Sequence, residues 1–165
     1  MSDIDYSIQV FKLEDLPRVM KINERCLPEN YSTYFYRDLF QRYPEAFLVA
    51  EVNGQIQGYI MCRIERGFSK FGGLMPTKLS HIVSIAVMQG FRRHGVASSL
   101  ISEDMKRSLD IYGASEMYLE VRNTNDAAIL LYEKLGFKKV KRNYGYYMDG
   151  EDAWVMATPL DKMER

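Results

Sequence analysis

The stretch from residue 81 to residue 122 constrains the fold of this chain more than any other segment. Residues 81–88, HIVSIAVM, form an almost continuous apolar run, as expected of a strand that is covered on both faces. Apolar residues then recur on one helical face from Gly95 to Tyr112, and a second strand is predicted from Met117 to Arg122. Two strands joined in this way form a right-handed parallel crossover, so the segment predicts an α/β domain.

The remaining residues extend this unit to the order β-α-α-β-β-β-α-β-α-β-β, with no repeat and no domain linker. Asn53-Gly54 between two apolar runs predicts a hairpin. The segment from Gly67 to Ser80 contains three glycines and Pro76, and is predicted to be a mobile loop that could border a cleft through Lys70 and Lys78. The other predicted strands cover residues 6–11, 46–52, 56–64, 137–142 and 152–158, and the other helices cover 14–26, 32–42 and 125–135.

Composition excludes several classes of protein. The chain has 165 residues, and its 22 Lys and Arg balance its 22 Asp and Glu, which argues against a specific nucleic-acid partner. The first residues lack the pattern of a secretory signal, and no apolar run approaches the roughly 20 residues of a membrane span. Cys26 and Cys62 lie outside any CxxC or His/Cys ligand set, which predicts reduced thiols and no metal. We therefore expect a cytoplasmic protein with no membrane partner.

A basic turn joins the first strand of the crossover to its helix. It reads QGFRRHGVA over residues 89–97. The start of a helix carries unpaired N–H groups and a partial positive charge, Gly95 lets backbone approach a bulky anion, and Arg92 and Arg93 add charge at the same place. The turn therefore predicts a phosphate or pyrophosphate site. The alternative is an ordinary connection with solvated arginines. GxxxxGK[ST] and GxGxxG are both missing, which excludes a P-loop and gives no support to dinucleotide binding.

Residues 92–97, RRHGVA, match the Q/R-x-x-G-x-G/A signature of the Gcn5-related N-acetyltransferase (GNAT) superfamily. Residues 81–87 resemble that superfamily's pantetheine-pairing strand, and N-x-x-A-x-x-x-Y-x-x-x-G-F over residues 125–137 resembles its second cofactor motif. The resemblance implies one domain over residues 1–165. Its sheet would be mixed and mostly antiparallel, with about seven strands, four helices and one parallel crossover. It also implies acetyl-CoA as co-substrate. The cofactor-binding residues expected from it are Ile85, Ala86, Val87, Arg92, Arg93, His94, Gly95, Val96, Ala97, Ser98, Asn125 and Tyr132.

The likeness extends over essentially the whole chain. LPENY at residues 27–31, LEVR at 119–122 and YYMDGEDA at 146–153 resemble the family of the NatA catalytic subunit and its archaeal, Ard/RimI-like relatives. The resemblance implies an enzyme that acetylates the α-amine of protein N-termini. Glu120 stands where the eukaryotic family has histidine, and His81 heads the signature strand. That combination is typical of the archaeal form that works without an auxiliary subunit.

The expected chemistry is attack of an amine on a thioester. An α-amine has a pKa near ~7.7–8, so a weak base suffices, whereas lysine near ~10.4 needs more help. His81 and Glu120 are polar residues in apolar strands and are the candidate bases; the resemblance implies that they flank the amine and act through water. The alternatives are a merely hydrogen-bonded His81 at a strand end and an ion pair between Glu120 and Arg122.

The resemblance also implies roles at the thioester itself. Ile85, Ala86 and Val87 are the expected backbone N–H donors to the oxyanion, on a strand that bulges and separates from its parallel neighbour. Tyr132 is expected to protonate the departing thiolate, and Asn125 to bind the pantetheine arm. The alternative for Tyr132 is a core aromatic residue, although its hydroxyl would still need a partner.

The acceptor is expected to be the N-terminus of a protein or nascent peptide. Its candidate binding residues are Glu29, Tyr31, Arg122, Tyr146 and Tyr147. The alternative for the tyrosine pair is packing within a hairpin. Four basic residues near the C-terminus predict either a solvated strand face or weak docking to ribosomal RNA: Lys138, Lys139, Lys141 and Arg142.

Three other functions stay open from the sequence. The amine could belong to lysine or a small polyamine, or the enzyme could be of the RimI type, specific for one ribosomal protein. A noncatalytic acyl-CoA-binding module would keep the basic turn but would need no polar groups at the reaction centre, which the presence of His81, Glu120 and Tyr132 disfavours.

Overall fold

A computed structural model describes residues 4–160. The four helices in this part of the chain are α1 (Leu16–Cys26), α2 (Thr33–Arg42), α3 (Val96–Asp110) and α4 (Asp126–Lys134). The seven strands in it are β1 (Tyr6–Val10), β2 (Phe47–Val52), β3 (Gln55–Phe68), β4 (Pro76–Val87), β5 (Glu116–Arg122), β6 (Lys138–Asn143) and β7 (Ala153–Pro159). Their number and order are those predicted from the sequence.

The seven strands form one sheet in the order β1-β2-β3-β4-β5-β7-β6. β4 and β5 run parallel and are joined by α3, which is the predicted crossover, and the other described pairs are antiparallel. The sheet is therefore mixed and mostly antiparallel, as expected. The crossover also brings the basic turn to the carboxyl end of β4.

Helices cover both faces of the sheet, because successive side chains of a strand point to opposite faces. On β2, Leu48 and Ala50 pack in the larger core with α3 and α4. Phe47 and Val49 pack on the other face with α1 and α2. This two-sided burial explains why β2 and the middle of β4 read as continuous apolar runs.

Local signals in the sequence predicted several element ends correctly. Ser32 caps α2, since its hydroxyl accepts a hydrogen bond from the Phe35 N–H at 3.2 Å. Asn53 and Gly54 both have positive φ, 51° and 79°, as a tight hairpin between β2 and β3 requires. Asn125 caps α4 by accepting from the Ala128 N–H at 3.3 Å.

The predicted mobile loop over residues 67–80 is wrong for half of its length. β3 continues to Phe68 and β4 begins at Pro76, so the connection spans only residues 69–75. Cross-strand pairing down to Phe68↔Pro76 overrides the weak strand propensity of glycine and proline. Proline is tolerated as the first residue of a strand. The long hairpin carries β3 past Ile64, where the sequence pattern predicted its end.

The basic residues near the C-terminus lie on β6, which forms one edge of the sheet. Arg142 binds Asp152 at 2.8 Å, and the Lys139 ammonium lies 4.7 Å from the centre of the Trp154 ring. Charged residues on an edge strand discourage pairing with other chains. The solvated strand face predicted as one alternative accounts for this cluster.

A buried carboxyl group lies beneath the crossover. Asp104 on α3 is fully buried, accepts a hydrogen bond from Ser108 at 3.1 Å, and its Oδ2 has no hydrogen-bond partner among the described residues. Burial raises the pKa of Asp104 well above its ordinary value of 3.8. The folded protein therefore keeps a proton that the unfolded chain releases above about pH 4.

Replacing Asp104 with asparagine should stabilise the protein at neutral pH. Wild-type stability falls as pH rises from 3.8 toward the folded pKa, whereas the amide has no proton to retain. We expect urea unfolding at pH 7 to show a gain of at least about 1 kcal/mol that shrinks toward pH 4. A pH-independent effect of Asp104→Asn would contradict this explanation.

Candidate active site

The site lies where β4 and β5 separate. The two strands pair over three residues, and the last pair is His81↔Tyr118. Beyond it, β4 remains bound to β3 alone, and a bulge leaves Val83 without a partner in the register between the two strands. The bulge and the separation were both expected, and together they leave one edge of β4 open from Val83 to Val87.

The open edge presents backbone N–H groups in a defined order. The Val87 carbonyl accepts a hydrogen bond from Arg92 Nε at 2.7 Å, whereas the next N–H, that of Met88, donates to a carbonyl of β3 at 2.8 Å. Backbone groups alternate sides along a strand, so the N–H of Ile85 points away from β3 with that of Val87. The N–H of Ala86 points toward β3, which removes Ala86 from the expected donors.

His81 and Glu120 meet at the head of the open edge. Nε2 of His81 lies 2.6 Å from Oε1 of Glu120, and both side chains are largely buried, with exposed fractions of 11% and 16%. His81 is therefore hydrogen-bonded, as the alternative for this residue predicted. It lies inside β4 and not at a strand end, and its hydrogen-bond partner is Glu120, the second candidate base. The predicted alternative of an ion pair between Glu120 and Arg122 is wrong, because Arg122 binds other carboxylates.

A third charged residue completes this centre, and the sequence reading missed it. Oε2 of Glu65, on β3, lies 3.0 Å from Nδ1 of His81. Burial alone would lower the pKa of His81, but the hydrogen bonds with Glu120 and Glu65 outweigh it and raise that pKa above its ordinary value. The only signal in the sequence was a charged residue just past the predicted end of β3.

The basic turn has the geometry of an anion site. Arg93 and Gly95 both take positive φ, 68° and 83°, and Gly95 stands at the N-cap of α3. No side chain caps the first turn of α3, and no acidic residue lies in it, so the N–H groups of 96–98 are available to a ligand. Tyr6 of β1, which the sequence did not indicate, holds the turn: its hydroxyl donates to the Gly95 carbonyl at 3.2 Å.

Tyr132 lies on α4 and Asn125 caps its first turn, beyond β5. The Tyr132 ring packs in the core against Phe137, with 5.8 Å between ring centres, as the alternative stated. Its hydroxyl forms no hydrogen bond within residues 4–160, and burial raises the pKa of Tyr132 to about 12. A hydroxyl at the end of a largely buried ring, with a proton to donate and no partner in the described chain, is suited to a ligand.

Arg122 is the centre of a charged cluster, the wall of the site, beside the open edge of β4. Its guanidinium lies 2.9 Å from Glu29 on the α1–α2 connection, and 2.9 Å from both Asp149 and Glu151 on the β6–β7 connection. It also lies 4.1 Å from the centre of the Tyr147 ring. One arginine at the end of β5 thus joins the two connections that flank the open edge.

The remaining predicted acceptor residues belong to the same wall. The Tyr31 hydroxyl donates to the carbonyl of the bulged Val83 at 3.2 Å. Burial, followed by the charges of Glu29, Tyr146 and Glu120, raises the pKa of Tyr31. Tyr146 packs edge-on to its neighbour Tyr147 at 5.0 Å, in agreement with the packing alternative, while facing the charge of Glu120. The five predicted residues therefore form one group at the ends of β4 and β5, in which Tyr31 and Tyr146 lie close to the charge of Glu120.

Within residues 4–160, no group of three or more His, Cys, Asp or Glu side chains is arranged to hold a metal ion. No helix in the same range is long and apolar enough to cross a bilayer.

Comparison with known proteins agrees with this geometry. A model of the acetyltransferase (GNAT) family matches residues 16–137. An N-alpha-acetyltransferase of Sulfurisphaera tokodaii is 50% identical over 158 residues, which cover 94% of each chain. The crystal structure of Ard1 from Thermoplasma volcanium is 30% identical with a TM-score of 0.80, covering 93% of this chain and 97% of that one. A NatC complex bound to Gag peptide and CoA is 26% identical with a TM-score of 0.83, covering 94% and 99%.

These similarities confirm the predicted acyltransferase class and the predicted acetylation of protein N-termini. The family match spans the basic turn and both predicted cofactor motifs, and the relatives match nearly the whole length of the chain. The chain belongs to the acetyltransferase (GNAT) family, and within it to the N-alpha-acetyltransferases.

Proposed function

We propose that this enzyme acetylates the free α-amine of protein N-termini by direct attack of the amine on acetyl-CoA, with both substrates bound together. The observation that carries the proposal is the buried His81–Glu120 pair beside the open edge of β4. A site built this way brings a proton acceptor next to unpaired backbone donors, which are the two needs of acyl transfer to an amine.

Acetyl-CoA fits the residues of the turn and the open edge. The uncapped first turn of α3, the left-handed Arg93 and Gly95, and the absence of acidic residues there suit the diphosphate. The open N–H of Val87 and the side chain of Asn125 are suited to the amides of the pantetheine arm. The similar NatC complex was crystallised with CoA. When bound, acetyl-CoA supplies the thioester carbon to which the amine nitrogen bonds as the carbon–sulfur bond breaks.

The His81–Glu120 pair accepts the proton that the amine loses. Despite burial, the hydrogen bonds with Glu120 and Glu65 raise the pKa of His81 above its ordinary 6.5, which makes the ring a stronger base than an ordinary histidine. An α-amine has a pKa of only ~7.7–8, so a moderately strengthened base is suited to taking its proton near neutral pH. A lysine amine near ~10.4 is a poorer match.

The open edge and α4 complete the chemistry. The N–H of Ile85 lies nearer the base pair than that of Val87 and donates to the oxygen on which charge develops. The unpartnered hydroxyl of Tyr132 gives its proton to the departing sulfur. The base pair then releases the proton it gained to solvent and Tyr132 takes up a proton from solvent, so both return to their starting states.

The wall around Arg122 binds the acceptor peptide. Glu29 supplies a carboxylate to the N-terminal end, while Tyr31, Tyr146 and Tyr147 offer hydroxyls to backbone groups that every peptide shares. Recognition of this kind suits an enzyme that reads the first residues of many proteins. The similar NatC complex was crystallised with a peptide.

Removing Arg122 should weaken peptide binding more than chemistry. Arg122→Ala leaves three carboxylates without their shared partner and releases the α1–α2 and β6–β7 connections from each other. We expect KM for the peptide to rise about tenfold, which corresponds to the loss of one charge-assisted hydrogen bond. Arg122→Lys keeps the charge but lacks the planar guanidinium, so its peptide KM should lie between those of wild type and Arg122→Ala. Steady-state kinetics at saturating acetyl-CoA measures the peptide KM and kcat of each variant. An unchanged peptide KM in Arg122→Ala would exclude this role.

The proposed function is tested with peptides whose N-termini are free or blocked. We expect acetyl transfer to a peptide library varied at its first two positions, and none to the same peptides blocked at the α-amine. Transfer that survives the block would favour lysine or polyamine acetylation. Activity confined to one ribosomal-protein sequence would favour the RimI-type alternative, and tight acetyl-CoA binding without transfer to any peptide would favour the binding module.

The compartment and the subunit composition of the enzyme are inferred from the sequence alone. We propose that the enzyme acts in the cytoplasm without an auxiliary subunit, in the archaeal manner implied by the pairing of His81 with Glu120. Docking to the ribosome through the β6 lysines stays a weaker prediction, because edge protection explains those residues equally well.

A further inference from the structure

Glu65 occupies a place that the reaction described above does not use. It lies on β3, in the part of the long hairpin beyond Ile64, opposite Leu79 of β4. From there its carboxylate reaches Nδ1 of His81, the ring nitrogen that faces away from Glu120. The side chain of Glu65 is 24% exposed, so it is neither a core residue nor a freely solvated one.

The contacts of His81 dictate where its protons lie. An ionised carboxylate can only accept a hydrogen bond, and His81 has a carboxylate at 3.0 Å from Nδ1 and another at 2.6 Å from Nε2. Each nitrogen must carry a proton to make its bond with a carboxylate. Arg63 Nη2, a donor, also lies 3.4 Å from Nδ1, but the Glu65 carboxylate is nearer and favours a protonated Nδ1. When the ring releases one proton, the carboxylate of Glu65 favours the tautomer that keeps Nδ1–H.

Other groups hold the Glu65 carboxylate in place. Arg63 Nε donates to Oε2 at 2.9 Å, and the Tyr118 hydroxyl donates to Oε1. The Tyr118 ring also stacks on the His81 ring, with centres 4.3 Å apart and planes at 4°. Burial opposes ionisation of Glu65, but the hydrogen bonds from His81, Tyr118 and Arg63 lower its pKa to about 2. Glu65 is thus a permanently charged and immobilised partner.

We propose that Glu65 is a positioning residue for acetyl transfer, because its carboxylate holds Nδ1–H of His81 and thereby aims Nε2 at Glu120. The proposal rests on the proposed function of the His81–Glu120 pair. Glu65 acts through His81 and touches neither substrate. A carboxylate that orients and charges a catalytic histidine strengthens the base and fixes its direction.

The alternative is that Glu65 only neutralises charge at the base of the hairpin. The charged and titratable groups that face His81 come from β3 and β5: Arg63, Glu65, Tyr118 and Glu120. Lys70 of the hairpin connection lies over the Tyr118 ring, with its ammonium 4.1 Å from the ring centre. Arg63 and Lys70 are cations and would lower the proton affinity of His81. Glu65 and Glu120 are therefore the two groups able to raise it, and removing one of them has a predictable sign.

Histidine NMR tests the proposal without any activity measurement. The chain has two histidines, so His94 in the basic turn is an internal reference. We expect ring-nitrogen shifts of wild-type His81 to show a protonated Nδ1 on both sides of its titration, and a midpoint above that of an ordinary histidine. Glu65→Gln should lower the His81 midpoint. Glu103→Gln, which removes an ion-paired glutamate from α3, should leave the His81 midpoint unchanged.

Kinetics provides the second readout. We expect Glu65→Gln to lower kcat about 10- to 100-fold, the range found when groups that orient metal-bound histidines are removed. KM for both substrates should stay within about twofold, and the acid limb of the rate profile should move to lower pH with the His81 midpoint. Glu65→Asp, which keeps the charge, should restore part of the lost kcat and reverse part of the shift in the acid limb.

The outcomes are separable. A His81 midpoint that does not move in Glu65→Gln, or a wild-type spectrum with an unprotonated Nδ1, overturns the role of Glu65 even if the enzyme acetylates peptides as proposed. The wild-type spectrum decides the matter if the variant does not fold. If wild-type protein acetylates no free N-terminus, the proposed function fails, while the titration still reports whether Glu65 holds His81.

Discussion

Replacing Glu120 with glutamine is expected to lower kcat for peptide acetylation by about 10²–10⁴-fold, the usual contribution of general base catalysis. The amide has the same shape but cannot take a proton, and it removes one of the two charges that hold His81. Acetyl-CoA should bind with unchanged affinity, because the basic turn lies at the far end of β4. Stopped-time assays with a free N-terminal peptide and calorimetry with acetyl-CoA measure the two quantities.

Glu133→Gln is the matched control for this change. Glu133 is an exposed glutamate on α4, so its replacement removes the same charge without reaching the cleft. We expect wild-type kinetics from it. If Glu120→Gln kept kcat within about threefold of wild type, proton transfer directly to solvent would suffice and the base pair would lose its role.

Loss of the Ile85 N–H should have the second largest effect. Ile85→Pro removes the backbone donor on the open edge, where no strand partner depends on it, and proline is tolerated at such an edge. We expect kcat to fall about 10²–10³-fold, as when one oxyanion donor is deleted. Binding of acetyl-CoA and the thermal unfolding temperature should change far less than kcat.

Ile85→Ala separates the N–H from the side chain. It truncates the same residue but keeps the donor, so its kcat should exceed that of Ile85→Pro by at least about tenfold. Circular dichroism of both variants checks that β4 is retained. Equal rates in the two variants would assign the effect to the side chain and would leave the oxyanion without the donor proposed here.

The reaction centre also explains the polarity of the neighbouring core. Asn23 on α1 is buried, and its side-chain amide donates to the Glu29 carbonyl at 3.1 Å and to the Tyr59 hydroxyl at 3.0 Å. Tyr59 in turn binds the Ser84 hydroxyl at 2.7 Å, just past the bulge. Fully bonded buried networks of this kind specify one arrangement. The peptide-binding connection and the bulged strand are thus tied through the core.

Most of the fold was readable from the sequence because its signals are local. The apolar run of β4, the helical period of α3, the Ser32 cap and the Asn53-Gly54 turn each depend on a window of a few residues. The basic turn is local as well, since a strand, a glycine and a helix start suffice to build it. His81 and Glu120 were found because a charged residue inside an apolar strand is rare.

Only the tertiary structure decided how those residues work together. Glu65, His81 and Glu120 come from three strands that are neighbours in the sheet but up to 55 positions apart in the chain, from 65 to 120. Strand pairing extends β3 as far as Glu65, and the bulge in β4 sets the side on which Ile85 presents its N–H. The connections that the sheet brings together determine which carboxylates Arg122 binds. Each depends on which strand lies alongside, and no short stretch of sequence contains that information.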